Sequence, residues 1–213
     1  MSPTSIFFAL LIAIAGTAHA QQTSAEASAV AAEVLRNAPW VADALACPAS
    51  SMPKSEILLG ISKNKCKTGK RGVCLKKCAA GNASACYWLA YELQEDHANK
   101  QAVETLYQRS CTLGIMSGCT NRAAGLVSQR PNDSAADMCA AKTFSIACAS
   151  EDPWACTMYA NFLIKDKSVP GHEDMALAAL AKSCKFGPDD PACSYAMDLK
   201  AKILKARSGV NRK

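Results

Sequence analysis

The sequence predicts an all-α fold, an α/α solenoid of about four disulfide-stapled helical hairpins. Three observations predict it. A short loop bounded by two cysteines occurs four times, as CAAGNASAC (78–86), CTLGIMSGC (111–119), CASEDPWAC (148–156) and CKFGPDDPAC (184–193). Aligned on their first cysteine, the copies lie 33, 37 and 36 residues apart, a period that belongs to arrays of helical hairpins. Apolar residues flank each loop at helical spacing, not at the alternation of a strand.

Residues 1–20, MSPTSIFFALLIAIAGTAHA, read as a secretory signal. The apolar run from Ile6 to Ala15 leads to the small-residue site Ala18-His19-Ala20, with cleavage expected after Ala20. The run is too short to cross a bilayer, so the protein is not expected to be membrane-spanning. Export to the periplasm or the medium puts its 12 cysteines in an oxidising compartment, where disulfides form. The remaining 193 residues are enough for one domain or a short repeat array, expected to be a monomer.

Residues 21–69 form an N-terminal segment. Thr23-Ser24-Ala25-Glu26 reads as a capping box opening an alanine-rich helix that Pro39 ends. Residues 46–70, rich in Ser, Pro, Lys and Gly, read mostly as loop.

The repeats occupy 70–205, divided at about 70–97, 98–131, 132–168 and 169–205. In each, the downstream cysteine opens a helical stripe at positions 0, +3, +4 and +7. It runs Cys86, Leu89, Ala90, Leu93, then Cys119, Arg122, Ala123, Leu126, then Cys156, Tyr159, Ala160, Leu163. The last copy, Cys193, Ala196, Met197, Lys200, turns polar at +7, as a terminal repeat without a neighbour should. The preceding helices carry apolar residues four and eight before their cysteine: Tyr107 and Val103, Phe144 and Ala140, Leu180 and Ala176. A basic tail, 206–213, follows.

Cysteines eight apart in one straight helix would lie roughly 12 Å from each other. A disulfide needs Cα atoms within about 7 Å, so pairing inside a loop requires the chain to reverse. Gly81, Gly114 and Gly187 stand where the first helix would end, and glycine takes the left-handed conformation without steric cost. The third copy has Glu151 there. Asp152 and Pro153 supply an N-cap and N1 pair for its next helix, and this turn is expected to differ in shape.

The pattern Cys-x-x-Gly-x-x-x-[Ala/Gly]-Cys, preceded by ETLYQRSC (104–111) or ALAKSC (179–184), resembles the Sel1-like repeats of cysteine-rich secreted bacterial proteins, the Helicobacter cysteine-rich proteins among them. The resemblance covers roughly 70–205. It implies one disulfide per repeat, joining Cys78 to Cys86, Cys111 to Cys119, Cys148 to Cys156 and Cys184 to Cys193. It also implies a role in binding proteins or cell-envelope components, with penicillin binding or weak β-lactamase activity in some members.

Cys47, Cys66, Cys74 and Cys139 are left over and admit three complete pairings. Cys74 falls four before its repeat cysteine and Cys139 nine before, and both are expected to face inward. Every complete pairing links Cys139 to a residue upstream of the second repeat, which would fold the N-terminal segment back along the array. The alternative is one local bond, such as Cys66–Cys74, with buried free thiols.

Net charge is +6, unevenly placed. Residues 63–77 carry seven basic side chains and no acid, and 200–213 carry six more, again without an acid. Such segments suit anionic lipid, cell-wall polymer or an acidic protein, or serve as solvated ends. Nucleic acid is disfavoured by the export signal and the lack of interleaved aromatics.

Little points to catalysis, and no catalytic residue is assigned. His97 and His172 are expected in loops between repeats. Cys-x₇-Cys lacks zinc-ligand spacing, and no metal or cofactor is expected. Ser51-Met52-Pro53-Lys54 and Lys67-Thr68-Gly69 match the Ser-x-x-Lys and Lys-Thr-Gly of serine β-lactamases. Here they share one loop of a helical chain, and Pro53 interrupts the turn that would aim the lysine at the serine. The expected function is therefore a scaffold binding a protein or cell-envelope component, with β-lactam binding or weak hydrolysis as the alternative. Tyr87, Trp88, Trp154 and Tyr195, all beside repeat cysteines, are the candidate binding anchors.

Overall fold

The computed structural model describes residues 24–53 and 63–210, so the signal at 1–20, Thr23, Lys54, Arg212 and Lys213 lie outside the described residues. All regular structure among the described residues is helical. The helices are α1 (24–36), α2 (Ala38–Asp43), α3 (Arg71–Ala79), α4 (Ala83–Glu95) and α5 (Lys100–Thr112). They continue as α6 (Met116–Gln129), α7 (Ser134–Ala149), α8 (Pro153–Lys165), α9 (His172–Lys182) and α10 (Pro191–Val210). Short 3₁₀ turns lie at Pro48–Ser50 and Lys63–Lys65. From α3 to α5 and again from α6 to α10, helices that follow each other in sequence pack as neighbours, the solenoid-like arrangement of an all-α repeat chain.

The described chain forms two units. One comprises residues 24–45 and 63–113, the other 46–53 and 114–210, so the division falls inside the second repeat. In the first unit, Val30 and Val34 of α1 share a core with Leu75, Leu89, Leu93, Leu106 and Tyr107. Cys86, Leu89, Ala90 and Leu93 are all fully buried, and each leucine contributes roughly 2 kcal/mol. In the second unit the stripes of α6 and α8 are buried at Cys119, Ala123 and Leu126 and at Cys156, Ala160 and Leu163. Phe144 and Leu180, on α7 and α9, are buried too. On α10, Cys193 and Ala196 are buried, but the stripe fails already at Met197, which is 58% exposed.

Helices α4, α5, α7 and α8 start where a side-chain oxygen replaces a missing carbonyl partner. Asn82 accepts from the Ala85 amide at 2.9 Å, Asn99 from Gln101 at 2.9 Å, Asp133 from Ala135 at 2.9 Å and Asp152 from Ala155 at 2.8 Å. Pro39 does not end the first helix. That helix stops at residue 36, and Asn37 caps α2, whose first turn tolerates Pro39 because its amide would be unpaired there. His172 is likewise the first residue of α9, not a loop residue, while His97 sits in the turn after α4 with φ 53°.

The third cysteine turn keeps the shape of the others, contrary to expectation. Glu151 takes φ 64°, beside 90° at Gly81 and 98° at Gly187. The hydrogen bonds match as well. Gly81 and Asn82 amides donate to Cys78 and Lys77 carbonyls at 3.0 Å, as Glu151 and Asp152 donate to Cys148 and Ala147 at 3.0 and 3.1 Å. The reversal demands the left-handed residue, and glutamate bears a steric penalty there. Glu151→Gly should therefore stabilise the protein by about 1 kcal/mol, read as a higher melting temperature. The Glu151–Lys185 ion pair at 3.2 Å is solvent-exposed and offsets little of that.

These reversals bring cysteines together. Cα separations are 4.7 Å for Cys78–Cys86, 4.5 Å for Cys148–Cys156 and 4.4 Å for Cys184–Cys193, all disulfide-bonded. Cys66 bonds Cys74, with Cα atoms 5.5 Å apart, and Cys47 bonds Cys139 at 5.8 Å. Cys111 and Cys119 are disulfide-bonded as well, and no described cysteine is free. Cys74 is buried, whereas Cys139 lies at the edge of α7, half-buried, where Cys47 reaches it. The 3₁₀ turn after Cys47 packs on α6 and α7 within the second unit and buries Pro48.

Candidate functional site

Helices α8, α9 and α10 pack on one another, and their small residues Ala160, Ala179, Ala192 and Ala196 are nearly inaccessible. Buried polar groups fix the register. The Thr157 hydroxyl lies 2.9 Å from the Ser183 hydroxyl and 3.2 Å from the Ala192 carbonyl, tying α8 to the end of α9 and the start of α10. At the start of α8, the buried Asp152 carboxylate accepts from Ser117 at 2.6 Å and Thr120 at 3.2 Å, both on α6, besides capping its own helix. Asp152→Ala removes a cap and takes away the carboxylate that Ser117 and the buried Thr120 share, and it should cost about 2 kcal/mol in denaturant unfolding.

On this frame the outward faces of α8 and α10 form a groove of about 450 Å³. Trp154, Met158 and Asn161 line it from α8, and Tyr195, Asp198, Leu199 and Lys202 from α10. The Trp154 and Tyr195 rings stand 5.4 Å apart at 52°, yet remain 39% and 64% exposed. Two large aromatic faces beside an exposed acid and an exposed base make an amphipathic wall. It can stack on or bury an apolar group while offering polar partners at its edge.

Tyr87 and Trp88 are placed differently. Their rings are 5.0 Å apart on α4, and Tyr87 also packs on the buried Tyr107 at 5.8 Å. Both are half-buried against the core of the first unit. Trp154 and Tyr195 in the second unit are the more exposed pair.

The chain matches no family model, no curated protein and no solved structure.

A second depression was not singled out from the sequence. Residues of α7 and α8, including Ala141 and Phe162, together with Asp166 just beyond α8, line adjoining hollows of about 290 and 410 Å³. Lys165 lies 5.9 Å over the Phe162 ring. Phe162 stands six residues after Cys156, off the buried stripe, and an aromatic residue at that outward position was the available signal. A hydrogen bond from the Ser168 hydroxyl, and then one from its amide, hold the Asp166 carboxyl below the usual aspartate range.

The β-lactamase-like tripeptide has a structural use. Thr68 accepts from Arg71 Nη2 at 3.1 Å, and the Gly69 amide donates to Glu26 at 2.7 Å. Ser51 caps the short 3₁₀ turn. Among the described residues no helix is long and apolar enough to cross a membrane, and no three His, Cys, Asp or Glu side chains are grouped to hold a metal ion. The oxidised state of the cysteines fits an oxidising environment such as the periplasm or extracellular space.

Proposed function

We propose that the protein is an exported scaffold of the Sel1-like repeat kind that binds a protein or cell-envelope component through the α8/α10 groove. The observation that carries this reading is the Trp154–Tyr195 pair, held at 5.4 Å by disulfide-bonded hairpins and still open to solvent. Aromatic side chains in that state supply large contact area at low entropic cost, which is how binding anchors work. The Cys148–Cys156 and Cys184–Cys193 bonds brace the two helices that present it.

The test is capture from the native envelope fraction by immobilised, oxidised protein. Trp154→Ala/Tyr195→Ala and a reduced sample serve as comparisons. A partner retained by the oxidised wild type and lost from the double variant, with unchanged circular dichroism, supports the groove. Equal retention by the double variant removes it. Nitrocefin turnover above a denatured control would instead favour the β-lactam reading.

A further inference from the structure

Helix α10 has two solvent-facing flanks, and only one belongs to the groove. On the other lie Met197, Ala201 and Leu204, whose i, i+4, i+7 spacing makes one stripe. Met197 is 58% exposed and Leu204 45%. The repeat register makes Met197 unusual. Four residues after the second cysteine, the earlier copies have Ala90, Ala123 and Ala160, each 0% exposed. The fourth copy places a larger apolar side chain there, exposed, and continues the stripe one turn further.

The surroundings of the stripe name its partner. Lys200 and Lys205 border it on either side, both exposed. From Lys200 to the last residue there are six basic side chains and no acid. Arg207 is committed to Glu173 at 2.5 Å and Asp174 at 2.7 Å, and Lys202 lines the groove, so Lys200 and Lys205 are the charges that border the stripe. A second copy is a poor occupant. Stripe against stripe would bring these lysines onto each other.

We infer that this flank of α10 docks on an anionic phospholipid surface. The helix lies parallel to the bilayer, with Met197 and Leu204 at the headgroup–acyl boundary. Lys200 and Lys205 extend along the apolar edge to reach lipid phosphates. The inference stands independently of the groove, because Trp154 and Tyr195 are on the opposite flank.

Co-sedimentation of the full oxidised protein with vesicles tests it, using phosphatidylcholine alone and phosphatidylcholine with one-third phosphatidylglycerol. Binding is expected only to the anionic vesicles and should weaken as salt rises. Lys200→Ala/Lys205→Ala should weaken it about 25-fold, near fivefold per lysine. Met197→Ser/Leu204→Ser should weaken it about tenfold. All four side chains are substantially exposed, so the fold should persist in both variants, which circular dichroism checks. Trp154→Ala/Tyr195→Ala should bind vesicles as the wild type does. Absence of binding, equal binding to neutral vesicles, or wild-type binding by either α10 variant overturns the inference.

Discussion

Replacing Cys47 and Cys139 together by alanine should lower the unfolding free energy by about 4.5 kcal/mol, more than removing a disulfide inside any hairpin. The reason lies in the unfolded chain. This bond joins residues 92 apart, whereas the hairpin bonds join residues 8 or 9 apart. A cross-link removes unfolded-state entropy in proportion to the logarithm of the loop it closes, which gives a hairpin bond about 2.5 kcal/mol. The shorter disulfides nested inside the long loop trim its effective length, but a logarithm hardly registers that. In the folded state the bond also seats the Pro48–Ser50 turn on α6 and α7. Guanidinium midpoints of Cys47→Ala/Cys139→Ala and Cys78→Ala/Cys86→Ala check the ranking. Equal losses would show that the long-range bond constrains the chain no more than a local one.

Arg71→Met should cost about 3 kcal/mol, and Arg71→Lys should recover little of it. Arg71 lies in a run of basic residues that would ordinarily be solvated, yet its side chain is 1% exposed. Its guanidinium donates to Glu26 at 2.9 Å, to Thr68 at 3.1 Å and to Asp96. The Glu26 carboxylate also accepts from the Gly69 amide at 2.7 Å and the Arg71 amide at 3.3 Å, at the start of α3. One side chain thus ties α1, the loop before α3 and the end of α4. Removing the cation leaves two carboxylates without their counter-charge. Lysine cannot rebuild the fork, because its ammonium is a single point without planar donors. Urea titration of both variants gives the two losses. Stabilities within about half a kcal/mol of wild type would show the knot to be dispensable.

The fold was legible where local chemistry repeats. Cysteine spacing, the glycines after the first cysteine and the 3.6-residue stripes mark helical hairpins, because each feature depends on neighbours within a few residues. What stayed hidden depends on long-range partners. Arg71 looks like one more solvated charge until Glu26 and Asp96 arrive from distant helices. Asp152 reads as a helix cap, but nothing in the sequence says that Ser117 and Thr120 also meet it. Glu151 looked incompatible with the turn of its siblings, and the reversal imposed by the cysteine pair overrode its preference. Of the four candidate aromatics, cysteine-relative position does not tell Tyr87 and Trp88, half-buried against the core of the first unit, from Trp154 and Tyr195, which face a groove.

A disulfide map of the protein taken unreduced from the cells that make it tests the oxidised, disulfide-braced scaffold. Free thiols should be blocked at lysis and the peptides identified by mass. Intact linked peptides are expected for Cys47–Cys139, Cys66–Cys74, Cys78–Cys86, Cys148–Cys156 and Cys184–Cys193, with no blocked thiol. Blocked thiols at these positions in folded protein would contradict the braced scaffold.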